Sequence, residues 1–284
     1  GRGRGAAWGI CPVDAPPVCG FVRSYERAVI EPRWAVVWLL RRLPLGLASA
    51  LAWVLAWFWW VLLPIRRNEA AENLRAALPD APVRPTLVRM MHDIMLGYVE
   101  LFQYQRLTIT VDADREVRGA IVMIGHGGSW DVGLCAWAHV FPVACYLRPP
   151  KDPFVAKLIA DLRDEHGEGR LETGATMADG YACLAKGINL LFVQDQRYNK
   201  GPWVPFLGRP ARTSLGAAVA SIKTGRPVYG AWHFREGTGR HRIVLRRLEI
   251  SGTAEERTGQ LNEFYAGQIR KCPHGWLWLH RRWL

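Results

Sequence analysis

The chain has 284 residues, half of them hydrophobic, with 37 Lys and Arg against 25 Asp and Glu and a formal net charge of +12. That length suits one large domain, or one domain with an appendage, and the charge asks for an anionic partner such as a phospholipid surface, a phosphorylated substrate or an acidic protein. The arginines are dispersed and no nucleic-acid motif occurs, which sets nucleic acid aside. The six cysteines contain no Cys-x-x-Cys pair, which removes zinc-ribbon and thioredoxin-like chemistry and fits a reducing compartment.

Residues 1–23 are rich in Gly, Pro and Ala and are expected to be disordered. Residues 24–67 read as a membrane-associated helical segment. Within it, residues 43–65 carry no charge over 23 positions, against a need of about 20 for a spanning helix. Pro44 and Pro64 bracket that run, Arg41, Arg42, Arg66 and Arg67 flank it, and Trp53, Trp57, Trp59 and Trp60 crowd its second half. Fourteen tryptophans in all suit a bilayer interface, where the ring is half apolar and half wet. The segment is expected either to cross the bilayer or to lie in one leaflet, since arginines at both ends give no orientation.

Residues 68–284 read as a catalytic domain. Two helices are expected over residues 68–79 and 83–107, with Leu87, Met90, Met91, Ile94 and Leu101 toward a core. A short strand follows at 109–111, then the apolar run Ile121 to Ile124, which ends in Gly125-His126-Gly127-Gly128-Ser129-Trp130-Asp131. The run is short, β-branched and bounded by glycine, so it reads as a buried strand. Ser129 is placed to cap a helix reaching about Val140. Further strands are expected at 143–147, 170–172 and 188–194, and helices at 152–166 and 177–186. A long Gly/Pro-rich loop over 198–210 leads to a helix at 213–224. A hairpin is expected over 228–250, around Glu236-Gly237-Thr238-Gly239-Arg240. Thr253 caps a last helix ending near Lys271. Strands alternating with helices imply an α/β fold with a mixed, largely parallel sheet covered by helices.

The chemistry-bearing residues fall where apolar strands end. His126 follows one, Arg148 another, and Asp195-Gln196-Arg197 a third. Strand ends are where open α/β sheets hold ligands, so their convergence carries more weight than any single motif. Asp131 sits one helical turn beyond His126, within reach of the imidazole. A carboxylate so placed fixes the tautomer and makes the other ring nitrogen a general base.

These motifs occur in a set order. A hydrophobic segment is followed by His126 with Asp131, Arg148, Asp195-Gln196, the loop Gly201 to Gly216 and the terminal Trp276-Leu277-Trp278-Leu279-His280-Arg281-Arg282. In this the chain resembles the late acyltransferases of bacterial lipid A biosynthesis, within the lysophospholipid acyltransferase superfamily. Three departures stand out: Asp at 131 where Glu is more usual in that branch, His274 where a Glu often precedes the terminal motif, and Asp152-Pro153 in place of Asn-Pro. They bear on the identity of the acceptor.

The resemblance implies a glycerol-phosphate-acyltransferase-like domain behind a membrane helix, at the cytoplasmic side of a bacterial inner membrane. It implies transfer of a fatty acyl chain from an acyl-carrier-protein thioester, or acyl-coenzyme A, to a hydroxyl of a lipid A precursor or related glycolipid. His126 would be the base and Asp131 its orienting partner. Gly127, Gly128 and Arg148 would hold the oxyanion, and Asp195, Gln196 and Arg197 would align the site or the acceptor. Arg66, Arg67, Arg281 and Arg282 would meet the membrane face or a phosphorylated lipid. No metal or diffusible cofactor is required. Other lipid acceptors, or hydrolysis with the same base, are the alternatives.

Overall fold

A computed structural model describes residues 8–9, 33–63, 65–113, 117–146, 151–165, 169–171 and 176–283. Its centre is an eight-stranded sheet in the order β1-β2-β10-β9-β3-β6-β4-β5. The strands are β1 (Trp8–Gly9), β2 (Thr108–Ala113), β3 (Ile121–Ile124), β4 (Val143–Tyr146), β5 (Gly169–Leu171), β6 (Asn189–Val193), β9 (Val228–Gly237) and β10 (Arg240–Leu248). The five strands β9, β3, β6, β4 and β5 are mutually parallel. The β9–β10 hairpin reverses direction at Gly237 to Arg240, and β2 then pairs parallel to β10. Apart from Trp8 and Gly9, the stretch 1–23 expected to be disordered lies outside the described residues, as does Arg148.

Both faces of the sheet are covered, which explains why its central strands are apolar without alternation. Ile121 and Met123 of β3, with Leu190 and Phe192 of β6, face one core. That core holds Leu87, Met90, Leu261, Tyr265, Trp276 and Trp278. Val122 and Leu191, one residue out of phase, face the other, with Val132, Trp137, Leu158 and Leu162. The helices are α1 (Arg33–Arg42), α2 (Leu45–Val61), α3 (Arg67–Ala77), α4 (Val83–Phe102), α5 (Trp130–Val140), α6 (Pro153–Glu165), α7 (Met177–Ala185), α8 (Gly216–Thr224) and α9 (Ala254–Lys271). Thr253 and Glu256 form the capping box that starts α9. The loop expected over 198–210 gives way to a small separate hairpin, β7 (Trp203–Phe206) with β8 (Arg209–Arg212), which runs two residues past it. Its prolines sit in a ladder only two strands wide, where edges tolerate them.

Of the two placements expected for residues 43–65, crossing the bilayer is the one that is not met. Pro44 starts α2 afresh after α1, and α2 runs for 17 residues, Leu45–Val61. At 1.5 Å per residue it falls short of a hydrocarbon core of about 30 Å. Among the described residues no helix is long and apolar enough to cross a membrane. Instead α2 packs along α4, with Ala48 and Ala52 buried against Leu96. Its small residues Ala48, Ala52 and Ala56 point inward, and Leu47, Leu51, Val54, Leu55, Trp57, Phe58 and Val61 point outward. Alanine at every fourth position lets two helix backbones approach closely, and the large side chains fall on the other face.

A buried ionic layer joins α4 to the β9–β10 hairpin. Arg235 Nη1 donates to Glu100 Oε1 at 2.5 Å, and both side chains are essentially sealed from solvent. Arg235 also donates to the Asp93 carbonyl at 3.1 Å and to Ser129 Oγ. Glu100 in turn accepts the Gly239 N–H at 2.9 Å, pinning the hairpin turn. Removing one partner of such a pair strands the other charge in a poorly hydrated interior. Glu100→Gln is therefore expected to cost about 3 kcal/mol of stability, seen as a lower denaturation midpoint in urea with an unchanged slope.

Candidate active site

The register of two central strands builds the site. Ile124 of β3 is paired with Val193 of β6. Each strand ends there, and the second residue beyond each is His126 and Asp195. The Asp195 carboxylate is fully buried. One oxygen is 2.9 Å from His126 Nδ1, and the other accepts the His126 backbone N–H at 2.7 Å and the Trp276 indole N–H at 2.8 Å. The neutral ring then carries its proton on Nδ1, and Nε2 is the basic nitrogen. The Gln196 amide nitrogen stands 3.1 Å from Nε2 and 3.2 Å from Nδ1. An atom equidistant from both nitrogens is in line with neither lone pair, so the amide packs on the ring without capping Nε2. Trp130 meets the ring edge-on, with centroids 5.3 Å apart.

The orienting bond expected of Asp131 is thus supplied by Asp195. Asp131 lies in the first turn of α5 and acts on the ring through its charge. Burial disfavours the imidazolium, but the charge and hydrogen bond of Asp195, with a smaller contribution from Asp131, outweigh it. The His126 pKa stands above its ordinary value. The same pair holds the Asp195 carboxyl below the usual range against the opposing effect of burial.

The two glycines after His126 are required by packing. A methyl group at Gly127 would collide with the Trp232 indole, and Gly128 has a φ of 58° with His233 directly behind it. Left-handed backbone with no room for Cβ leaves glycine alone at Gly128. The Gly128 N–H donates to the Gly275 carbonyl at 2.6 Å, so it is spent and does not serve the oxyanion role expected of it. Ser129 stands at the N-cap of α5 without a side-chain cap bond. His233 Nδ1 accepts the Ser129 N–H at 3.0 Å in its place. That bond needs an unprotonated nitrogen. Burial, then the charges of His241 and Arg235, keep the His233 pKa well below its ordinary value.

A shallow, tightly closed cleft lies at His126, with Met90, Ile94, Trp130, His274 and Leu277 among its walls. Trp130 also borders a pocket of about 230 Å³ between α4 and α5, lined by Gly97, Tyr98 and Asp131. A third, narrow gap lies under α5 and is lined by Leu134, Trp137, Ala231 and Trp232.

Comparison with known proteins then decides the family. The family model for bacterial lipid A biosynthesis acyltransferases matches residues 26–284. The chain belongs to that family. It is also similar to a phosphatidylinositol mannoside acyltransferase of Mycolicibacterium smegmatis, 23% identical over 205 residues. The match covers 70% of this chain and 66% of the relative, just under two thirds of its length.

In this member of the lipid A acyltransferase family the terminal motif closes the site from behind. Trp276 and Trp278 are buried. Asn73 Nδ2 donates to the carbonyls of Trp278 and His280 at 3.2 and 3.1 Å. Arg282 is fully buried and donates to the Arg212 carbonyl at 2.6 Å and Thr213 Oγ1 at 2.7 Å. Arg281 pairs with Glu69 at 2.5 Å. The lipid-facing role expected of Arg282 is corrected, since its side chain is buried against Arg212 and Thr213, whereas Arg281 stays exposed in an ion pair with the surface residue Glu69. Arg197 follows at the β6 exit with a buried Nε that has no hydrogen-bond partner.

Sequence reasoning missed Trp276 as a donor to Asp195, and missed Asp93. Asp93 lies on α4 and reaches His274 Nδ1 at 3.0 Å. The signal for Trp276 was present, since a tryptophan buried at a site needs an acceptor for its N–H.

Asp195→Asn is expected to lower the His126 pKa, because the carboxylate charge is what raises it against burial; the imidazole titration followed by NMR reads this. The sign carries to stability. A raised His pKa stabilises the fold at pH below the unfolded value, and this contribution is lost as pH rises through the folded value. A midpoint in the variant at or above that of the unaltered protein would contradict the assignment.

Proposed function

We propose that this protein is an O-acyltransferase that moves a fatty acyl chain from an acyl-carrier thioester to a hydroxyl of a membrane glycolipid, with a lipid A precursor or a related mannoside lipid as acceptor. The observation that carries the reading is the His126–Asp195 dyad at the paired ends of β3 and β6, in a chain of an acyltransferase family. His126 Nε2 takes the proton of the acceptor hydroxyl as its oxygen attacks the thioester carbonyl. The carbon–sulfur bond breaks, and the leaving thiolate recovers that proton from the imidazolium. Asp195 holds the ring and stabilises its charged form. Asp131 adds negative charge nearby. The Gly127 N–H and Arg148 are the oxyanion donors of this reading, and Gln196 and Arg197 border the acceptor.

A membrane surface belongs to the same reading, at the cytoplasmic face of a bacterial inner membrane. The outward face of α1 and α2 exposes Trp38, Leu51, Val54, Trp57, Phe58 and Val61, each more than two fifths accessible. A contiguous apolar face of this kind marks an interaction site. Arg42, Arg67, Arg84 and Arg89 lie over Trp38, Trp60, Trp57 and Trp53, 4.2 to 5.7 Å from the ring centroids. Arginine and tryptophan together at the rim of an apolar helix face suit an in-plane helix seated at the headgroup level.

Transfer is tested with labelled acyl-carrier-protein thioester and two acceptors, a lipid A precursor and a phosphatidylinositol mannoside, in vesicles. His126→Ala is expected to cost about 10²–10⁴-fold in turnover. The rate of the unaltered protein should fall as pH drops through the raised His126 pKa, since only the neutral ring accepts a proton. Release of free fatty acid without lipid product would make the protein a hydrolase instead. For the membrane, Leu51→Ser with Phe58→Ser should change the unfolding free energy by no more than about 1 kcal/mol, at up to about 0.5 for each surface substitution, and weaken sedimentation with anionic vesicles. Unchanged sedimentation would remove α2 from the membrane contact.

A further inference from the structure

A backbone donor expected beside the base is already committed. The Gly128 N–H donates to the Gly275 carbonyl at 2.6 Å, and Gly127 bridges antiparallel to Trp276. The segment that occupies this donor brings another. His274, one residue before Gly275, lines the cleft at His126 together with Asp93. Its Nδ1 is 3.0 Å from Asp93 Oδ2. Asp93 is buried on α4 and held by Arg89 at 3.1 Å, by His92 Nδ1 at 2.9 Å and by Arg235 of β9 at 3.3 Å. A carboxylate fixed in this way fixes the orientation of the ring bonded to it.

We propose that His274, oriented by Asp93, donates its Nε2–H to the oxyanion that forms when the acceptor hydroxyl attacks the thioester carbonyl. The bond to Asp93 uses Nδ1 and leaves Nε2. Cys272 Sγ stands 3.4 Å from Nε2 and 3.9 Å from Nδ1, so it lies over the ring and in line with neither N–H. The His274 side chain is 31% exposed, anchored on one edge yet open to a ligand. A donor held in place before the reaction begins needs no reorganisation when charge develops.

The ring is also a cation at neutral pH. Burial opposes its charge, but Asp93 and then the Cys272 sulfur prevail and raise its pKa to about 9. The titratable and charged groups around it are Asp93, Arg89 and His92 of α4, Arg235 of β9, Cys272 and, in the same cleft, His126. In the step itself the hydroxyl oxygen attacks, the carbonyl electron pair moves onto oxygen, and the His274 Nε2–H meets the new charge. As the carbon–sulfur bond breaks, that pair returns to the carbonyl. His274 keeps its proton throughout, and His126 carries the hydroxyl proton to the thiolate. Water screens little in a tightly closed cleft, so a fixed cation there acts more strongly than in solution.

This rests on the acyl-transfer reading above, and the test keeps the two apart. Transfer of label from palmitoyl-acyl-carrier-protein to the lipid A precursor and to the phosphatidylinositol mannoside is followed across pH, with protein-free hydrolysis subtracted. The full chain, His274→Ala and His274→Lys are compared after their denaturation midpoints show that each is folded. In the unaltered protein kcat should fall at low pH with His126, and again above about pH 9 with His274. His274→Ala should lower kcat by about 10²–10³-fold, leave KM nearly unchanged and lose the alkaline fall. His274→Lys keeps a cation with an ordinary pKa of about 10.4, so it should recover part of the loss and move that fall upward. Unchanged kcat in His274→Ala overturns the proposal and leaves the proposed function standing. So does a rise in KM alone, which marks a ground-state contact. An alkaline fall that survives in His274→Ala, or is missing from the unaltered protein, overturns it too. No transfer by the unaltered protein to either acceptor sinks both.

Discussion

One buried carboxylate organises this protein. Asp195 accepts hydrogen bonds from the His126 backbone, the His126 ring and the Trp276 indole. A charge taken out of water is tolerated only when such bonds replace its hydration. The three donors come from the exit of β3 and from the C-terminal segment, so satisfying one anion fixes both. The rest of the C-terminus serves that end. Arg282 threads into the core to bond Arg212 and Thr213, and Tyr265 of α9 donates to the Ile124 carbonyl at 2.6 Å, one residue before the glycine that precedes the histidine.

Behind this dyad lies a second polar layer with a different task. Asp93, Glu100 and Arg235 bind α4 to the β9–β10 hairpin. His233, kept neutral, receives the N–H at the start of α5. Of these groups only Asp93 lines the cleft at His126. They set where the Gly127-Gly128 backbone runs between Trp232 and His233, and hence where the imidazole emerges. Polar groups this deep are specific because their partners are few: each unmade bond would cost a full desolvation penalty.

The apolar N-terminal helices obey another logic. In a water-facing helix large side chains turn inward. In α2 Ala48, Ala52 and Ala56 turn inward beside Trp59, and Leu47, Leu51, Val54, Leu55, Trp57, Phe58 and Val61 turn outward. The composition of residues 43–65 announced an apolar setting but not its geometry. Hydropathy sums over a stretch, whereas crossing a bilayer depends on unbroken helical length. Pro44 cuts that length at one end, and α2 stops at Val61.

The chain by itself determined a good deal. Apolar runs without alternation marked β3, β4 and β6 as strands covered on both faces, since burial on both sides leaves no place for polar residues. Thr253 and Glu256 marked the start of α9 through local capping chemistry. His126, Asp195 and the terminal tryptophans were legible as important because polar or aromatic residues directly after, or far from, such runs need a reason. What only the tertiary structure decided was pairing. A carboxylate five positions along the chain looked like the partner of His126, yet the parallel register of Ile124 with Val193 delivered one 69 residues away. Register between strands distant in sequence is set by the whole core at once, and no local pattern encodes it. For the same reason the neighbours Arg281 and Arg282, equal in sequence, parted in space: one went to a surface glutamate and the other into the core.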